Sequence, residues 1–156
     1  INMQRKIFTL LLFLFLSSCG YEAIYSKKNS ENYNFFISKL SFVGDRDINL
    51  RMKEKLNNYT LNEKNKNFAL KISNSSTKEV AAKNTLGDAV TFKNTITTNI
   101  EVSMNGEFKN NFVIIESFIY NNNSNRFNLK RYEKEIKNNL AETIADKLIL
   151  KLSNIQ

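Results

Sequence analysis

Residues 89–121 read AVTFKNTITTNIEVSM-NG-EFKNNFVIIESFIYN, and the reading of this stretch decides the fold. In its first half Val90, Phe92, Ile96, Ile100, Val102 and Met104 all fall on even positions. That period of two belongs to a strand with one face turned to a core. Asn105-Gly106 then supplies a tight turn, because both central residues of a type I′ turn need positive φ, which Asn and Gly tolerate. The second half is the return strand. A two-residue turn pairs Met104 with Glu107 and Ile96 with Ile115, whereas a three-residue turn pairs Ile100 with Phe112. Phe112 to Tyr120 carries apolar residues on both parities. The register therefore stays open, and the mixed faces imply either a bulge or a strand covered on both sides.

Upstream, Phe68, Leu70 and Ile72 alternate in the same way, and Asn74 to Ala82 reads as strand extension or loop. FFISKLSFVG, residues 35–44, is β-branched and aromatic and ends at a glycine, the profile of another strand. After it, Asp45 or Asp47 is a helix cap, and Ile48, Met52, Leu56 and Tyr59 make one apolar stripe. Downstream, NNNSNRF (121–127) breaks the pattern as a loop. The longest helix follows, with Asn128 as its expected cap and a stripe of Leu129, Tyr132, Ile136, Leu140, Ile144 and Leu148. Ala141 and Ala145 allow close packing. The order β-α-β-β-β-α predicts an α+β fold, a two-layer sandwich of two helices packed on a roughly four-stranded, mainly antiparallel sheet.

The N-terminal part is different in kind. Arg5 and Lys6 precede a run of about ten apolar residues, Ile7 to Leu16. That is too short to span a bilayer, which takes roughly 20 residues, but it fits the core of a secretory signal peptide. Leu16-Ser17-Ser18-Cys19 resembles a bacterial lipobox. The resemblance implies cleavage before Cys19 and attachment of a diacylglycerol to its sulfur, with palmitate-like acylation of the new amino group. The expected organisation is a lipoprotein signal peptide at 1–18, a lipidated tether at 19–34 and a single domain at 35–156. The mature chain would have 156 − 18 = 138 residues, enough for one core. Removing Arg5 and Lys6 leaves 21 basic against 15 acidic residues, a net +6. Outside the cytoplasm that charge points away from nucleic acid and toward anionic lipid headgroups or phosphorylated sugars.

Catalytic chemistry is sparse. The chain contains no His, one Cys and four Gly, so the commonest general base, most zinc sites and a glycine-rich phosphate loop are excluded. Asp45/Asp47 and Glu133/Glu135 read as a helix cap and a solvated helix face. The expectation is a non-enzyme with no cofactor and no metal. The 25 Asn, many Lys and absence of Pro and Trp match the drift of an AT-rich genome, so isolated Asn and Lys residues carry little.

Two terminal motifs add a resemblance. Cys19, Gly20, Tyr21, Ile24 and Tyr25 fit the Cys-Gly-aromatic-x-Pro-Leu-Tyr start of the lipopolysaccharide-assembly lipoprotein LptE family, with Ala23 where Pro is usual. Tyr132, Glu133, Asn139, Leu140, Ala141, Ile144, Ala145, Asp146 and Lys147 match its C-terminal helix. The order of elements is similar to that family over the whole mature chain. The resemblance implies a plug and folding partner inside the LptD outer-membrane β-barrel, which binds lipopolysaccharide on its way to the cell surface. The protein would then sit on the periplasmic side of the outer membrane, anchored through Cys19. The alternative is a free-standing periplasmic structural or ligand-binding lipoprotein with no barrel partner.

Connections in an antiparallel meander alternate between the two ends of the sheet. The loops at 82–88 and 121–128 must share the end opposite Asn105-Gly106. Lys83, Lys93, Arg126, Lys130 and Arg131 lie in or beside them, and they are the expected contacts for lipopolysaccharide phosphates, with Arg as a planar fork and Lys as a mobile charge.

Overall fold

The computed structural model describes residues 33–155; the expectations for the signal peptide and Cys19 lie outside them. The elements are β1 (Phe35–Gly44), α1 (Arg46–Leu56) with a 3-10 turn at Asn57–Tyr59, β2 (Lys66–Lys83), β3 (Ala89–Met104), β4 (Glu107–Asn121) and α2 (Arg126–Ser153). The strands lie in sequence order in one four-stranded sheet. β1 runs parallel to β2, with α1 in the crossover between them. The other two pairings are antiparallel. The α+β architecture with two helices and a four-stranded sheet is the one expected.

The hairpin combines both registers that the sequence left open. Asn105 (φ 53°) and Gly106 (φ 87°) form the two-residue turn, and Met104 pairs with Glu107. A bulge between Val102 and Ser103 then skips Lys109, so Ile100 pairs with Phe112 and Ile96 with Glu116 rather than Ile115. The shift sends Ile114 and Tyr120 of β4 into the core and leaves Val113, Ile115 and Ile119 on the opposite face, 57, 60 and 59% exposed. β2 continues as strand through Lys83, which settles residues 74–82.

Both helices cover one face of the sheet. Ile48, Met52, Leu56 and Tyr59 bury the α1 stripe, and Ile136, Leu140, Ile144 and Leu148 bury that of α2, against Phe68, Leu70, Ile72, Ile96 and Ile100. Ala141 and Ala145 are fully buried. Phe35, packed between Tyr59 and Phe68, closes one end. The α2 cap is Asn125, not Asn128: its side chain accepts from the N–H groups of Phe127 and Asn128, and the helix starts one turn earlier.

Gly44 and Asp45 fix the level at which α1 begins. Gly44 has φ +97°, and an added Cβ would sit 1.9 Å from the Asn74 carbonyl oxygen. The Asp45 N–H donates to that same oxygen at 3.2 Å. The Asp45 carboxylate accepts from the backbone of Asp47 and Ile48, and from Lys137 Nζ of α2 at 2.9 Å. Burial by itself would raise its pKa; the Lys137 hydrogen bond, the Ile48 N–H and the Lys137 charge outweigh burial, and the group lies below its ordinary value of 3.8. Beside this junction a buried polar row crosses the sheet. Thr98 Oγ1 donates to Asn74 Oδ1 at 2.5 Å, and Asn74 Nδ2 donates to Asn49 Oδ1 at 2.8 Å. Beyond it α1 is gone, and every residue of β2 from Thr77 to Lys83 is exposed.

Candidate functional site

The end of the sheet remote from Asn105-Gly106 is built by the β2–β3 turn and the β4–α2 connection. Asn84 closes the first. Its side-chain oxygen accepts from the N–H groups of Leu86 (3.0 Å) and Asp88 (2.8 Å), and Gly87 takes φ +92°. Asn122 joins the second to the sheet: its backbone N–H donates to Val90 O and its amide to Ala89 O, both at 2.8 Å. The two connections therefore lie side by side. Leu86 at the tip is 86% exposed and Phe127 in the first turn of α2 is 74% exposed.

A tight cluster supports this end. Glu133 Oε1 accepts from Lys78 Nζ (2.6 Å) and Tyr120 Oη (3.0 Å). The Lys78 ammonium lies 4.0 Å over the Phe92 ring, and Tyr120 packs against both Phe92 and Tyr132. Burial, then the hydrogen bond to Glu133 and the Glu133 charge, push the Tyr120 phenol far above its ordinary value, so it stays a donor at physiological pH. Sequence reasoning did not single out Lys78. Its signal was parity: it falls on the same even face of β2 as Phe68, Leu70 and Ile72.

The five expected basic residues separate into three places. Lys83 ends β2, exposed. Arg126 and Lys130 stand one turn apart on α2, and Lys130 is one turn before Glu133, which reaches Lys78 of β2; these two flank the β2 side. Arg131, about 100° round the helix from Lys130, lines a cleft beside Asn121 on the β4 side. Lys93 is flanked in β3 by Phe92 and Asn94, whose side chains lie on the helix side, so it projects from the opposite sheet face, paired across strands with Glu79 and Ile119. The geometry groups Arg126 and Lys130 and sets Arg131 apart, while Lys83 pairs across strands with Ala89, of the same parity in β3 as Lys93. None of the five takes part in an ion pair among the described residues, whereas Arg51, Lys55, Lys71, Lys78, Lys137 and Lys147 all do. Among the described residues there is no cluster of metal-ligating side chains and no helix long and apolar enough to cross a membrane.

In sequence the chain matches no protein-family model and no curated protein. In structure it is similar to several small bacterial lipoproteins. A minor lipoprotein from Acinetobacter baumannii superposes with TM-score 0.58 at 12% identity, over 78% of this chain and 91% of that one. Rare lipoprotein B from Shewanella oneidensis gives 0.58 at 14%, over 75% and 90%. Lipoprotein B from Nitrosomonas europaea gives 0.59 at 9%, over 78% and 83%. The chain has the fold of these lipoproteins. At such identities the likeness concerns the backbone architecture.

Proposed function

We propose that the protein is a lipid-anchored outer-membrane lipoprotein of the LptE kind, held through Cys19 on the periplasmic side. It acts as plug and folding partner of an LptD-like barrel and binds lipopolysaccharide through Lys83, Arg126 and Lys130. The role is binding, not catalysis. The observation that supports this reading is the shared fold with solved lipoproteins, joined to basic side chains at one end of the domain that form no ion pair among the described residues. Two cationic side chains one helix turn apart, with a third at the same end of the sheet, suit a phosphorylated glycolipid, whose charges are fixed on a rigid sugar frame.

Two experiments test it. A tagged full-length chain should co-purify with a large outer-membrane barrel; its consistent absence would favour the free-standing lipoprotein instead. In a lipopolysaccharide-binding assay, Lys83→Glu/Arg126→Glu/Lys130→Glu should lose binding while Lys39→Glu/Lys53→Glu/Lys109→Glu, three exposed positions elsewhere, should retain most of it. Equal loss in both would reduce the effect to net charge and remove the proposed contact.

A further inference from the structure

On the β4 flank of α2 lies a cleft of about 470 Å³, within the size range of small-molecule sites. Four of its eight lining residues are asparagines, Asn121, Asn122, Asn123 and Asn128. Asn makes up 25 of 156 residues in the chain, so the wall is enriched about threefold over a composition that already favours Asn. Asn122 and Asn123 build the connection: the Asn122 side-chain oxygen accepts from the Asn123 N–H and that of Asn123 from the Asn125 N–H. Asn121 and Asn128 make no side-chain hydrogen bond among the described residues, and each offers two donors and an acceptor. Arg131 and Glu135, one helical turn apart on the same wall, form no ion pair with each other or with any described residue. Tyr132 is 44% exposed, and its ring, held on edge against that of Tyr120, lends the wall an apolar face.

We infer that this cleft is a saccharide-binding site. A sugar ring presents hydroxyls in pairs and one apolar C–H face. Planar amide and guanidinium groups answer the paired hydroxyls, a carboxylate accepts from them, and an aromatic ring covers the C–H face. The charge balance selects among polar ligands: Glu135 offsets Arg131, so the cleft is electrically neutral and suits an uncharged ring better than a phosphate. It is therefore chemically distinct from the basic group around Lys130, on the other flank of the same helix. The ligand is a neutral sugar unit, whether part of an anionic glycolipid or of a β-1,4-linked N-acetylglucosamine polymer. The inference does not depend on a barrel partner.

The test is an amide chemical-shift titration of the full chain with two probes: lipid-free, dephosphorylated core oligosaccharide, and tri-N-acetylchitotriose. At least one should perturb residues 121–135, and which one does identifies the source. Asn128→Ala/Arg131→Ala should weaken that binding at least about tenfold, and Tyr132→Leu should do the same while thermal unfolding confirms the fold. Lys83→Glu/Arg126→Glu/Lys130→Glu should leave it unchanged, which separates this site from phosphate binding. No perturbation of 121–135 by either probe, or full binding by the Asn128/Arg131 variant, overturns the inference.

Discussion

β2 and β3 pass through two environments along one antiparallel pairing, regular up to Val80 and irregular between Val80 and Lys83. From Phe68 to Asn74 and from Ile96 to Val102 the even residues are buried beneath α1 and α2. From Thr77 to Lys83 the same ladder continues with only α2 above it, and β2 is exposed throughout. The pairing is antiparallel in both halves, with register shifts only near the tip; what differs above it is the second helix. The closed half holds the molecule together by apolar burial, and the extended half owes its shape to the ladder, the Asn84 turn and the Lys78–Glu133–Tyr120 cluster. Apolar burial and exposed polar surface are thereby assigned to different stretches of the same strands.

The sharpest way to break this division is Gly44→Ala at the junction. The new methyl would fall inside the Asn74 carbonyl, at a φ that L residues rarely adopt. We expect a loss of at least about 4 kcal/mol, seen as failure to fold or as a collapsed denaturant midpoint. Next come Ile144→Ala and Leu140→Ala in the closed half, both buried. Each should cost about 2–5 kcal/mol in a urea titration, and a change below about 0.5 kcal/mol would place the α2 stripe wrongly.

Asp45→Asn keeps an N-cap but removes the charge that meets Lys137. Because the folded-state pKa lies below 3.8, the stabilisation it provides is present above the unfolded value and disappears as pH falls through the folded one. The stability gap between wild type and Asp45→Asn should therefore be open at pH 7 and narrow as the pH falls below the unfolded value and through the folded one, measured by denaturant titration at each pH. The smallest effect belongs to the extended half. Leu86→Ser at the tip should change stability by no more than about 0.5 kcal/mol, and a larger loss would mean that the tip is packed after all.

Much of this was legible because period and turn chemistry are local. The even-numbered residues of β3, the Asn105-Gly106 turn and the stripes of both helices each announce themselves within a few positions. The bulge at Lys109 was not legible, since FVII is apolar on both parities and either register buries something. Nor was the α2 cap, because NNNSNRFN offers several asparagines, any of which can cap a helix. At the candidate site, loop topology implied that the loops at 82–88 and 121–128 share the end opposite Asn105-Gly106, and the structure has both connections there. Topology could not separate Lys130 from Arg131 or turn Lys93 to the right face, which takes helix angle and strand parity once the elements are placed. The cleft at Asn121–Asn128 was hidden by composition, since a chain rich in Asn makes every Asn look incidental.

Tyr33 marks where the described domain begins, and it packs on Phe35 and Tyr59 at the end that also carries Asn105. The Leu86 tip is at the other end of the 16-residue β3, roughly 50 Å away at about 3.3 Å per residue. The sheet is thus a rigid spacer: whatever meets the Leu86 tip does so about one strand length from the aromatic foot at Tyr33.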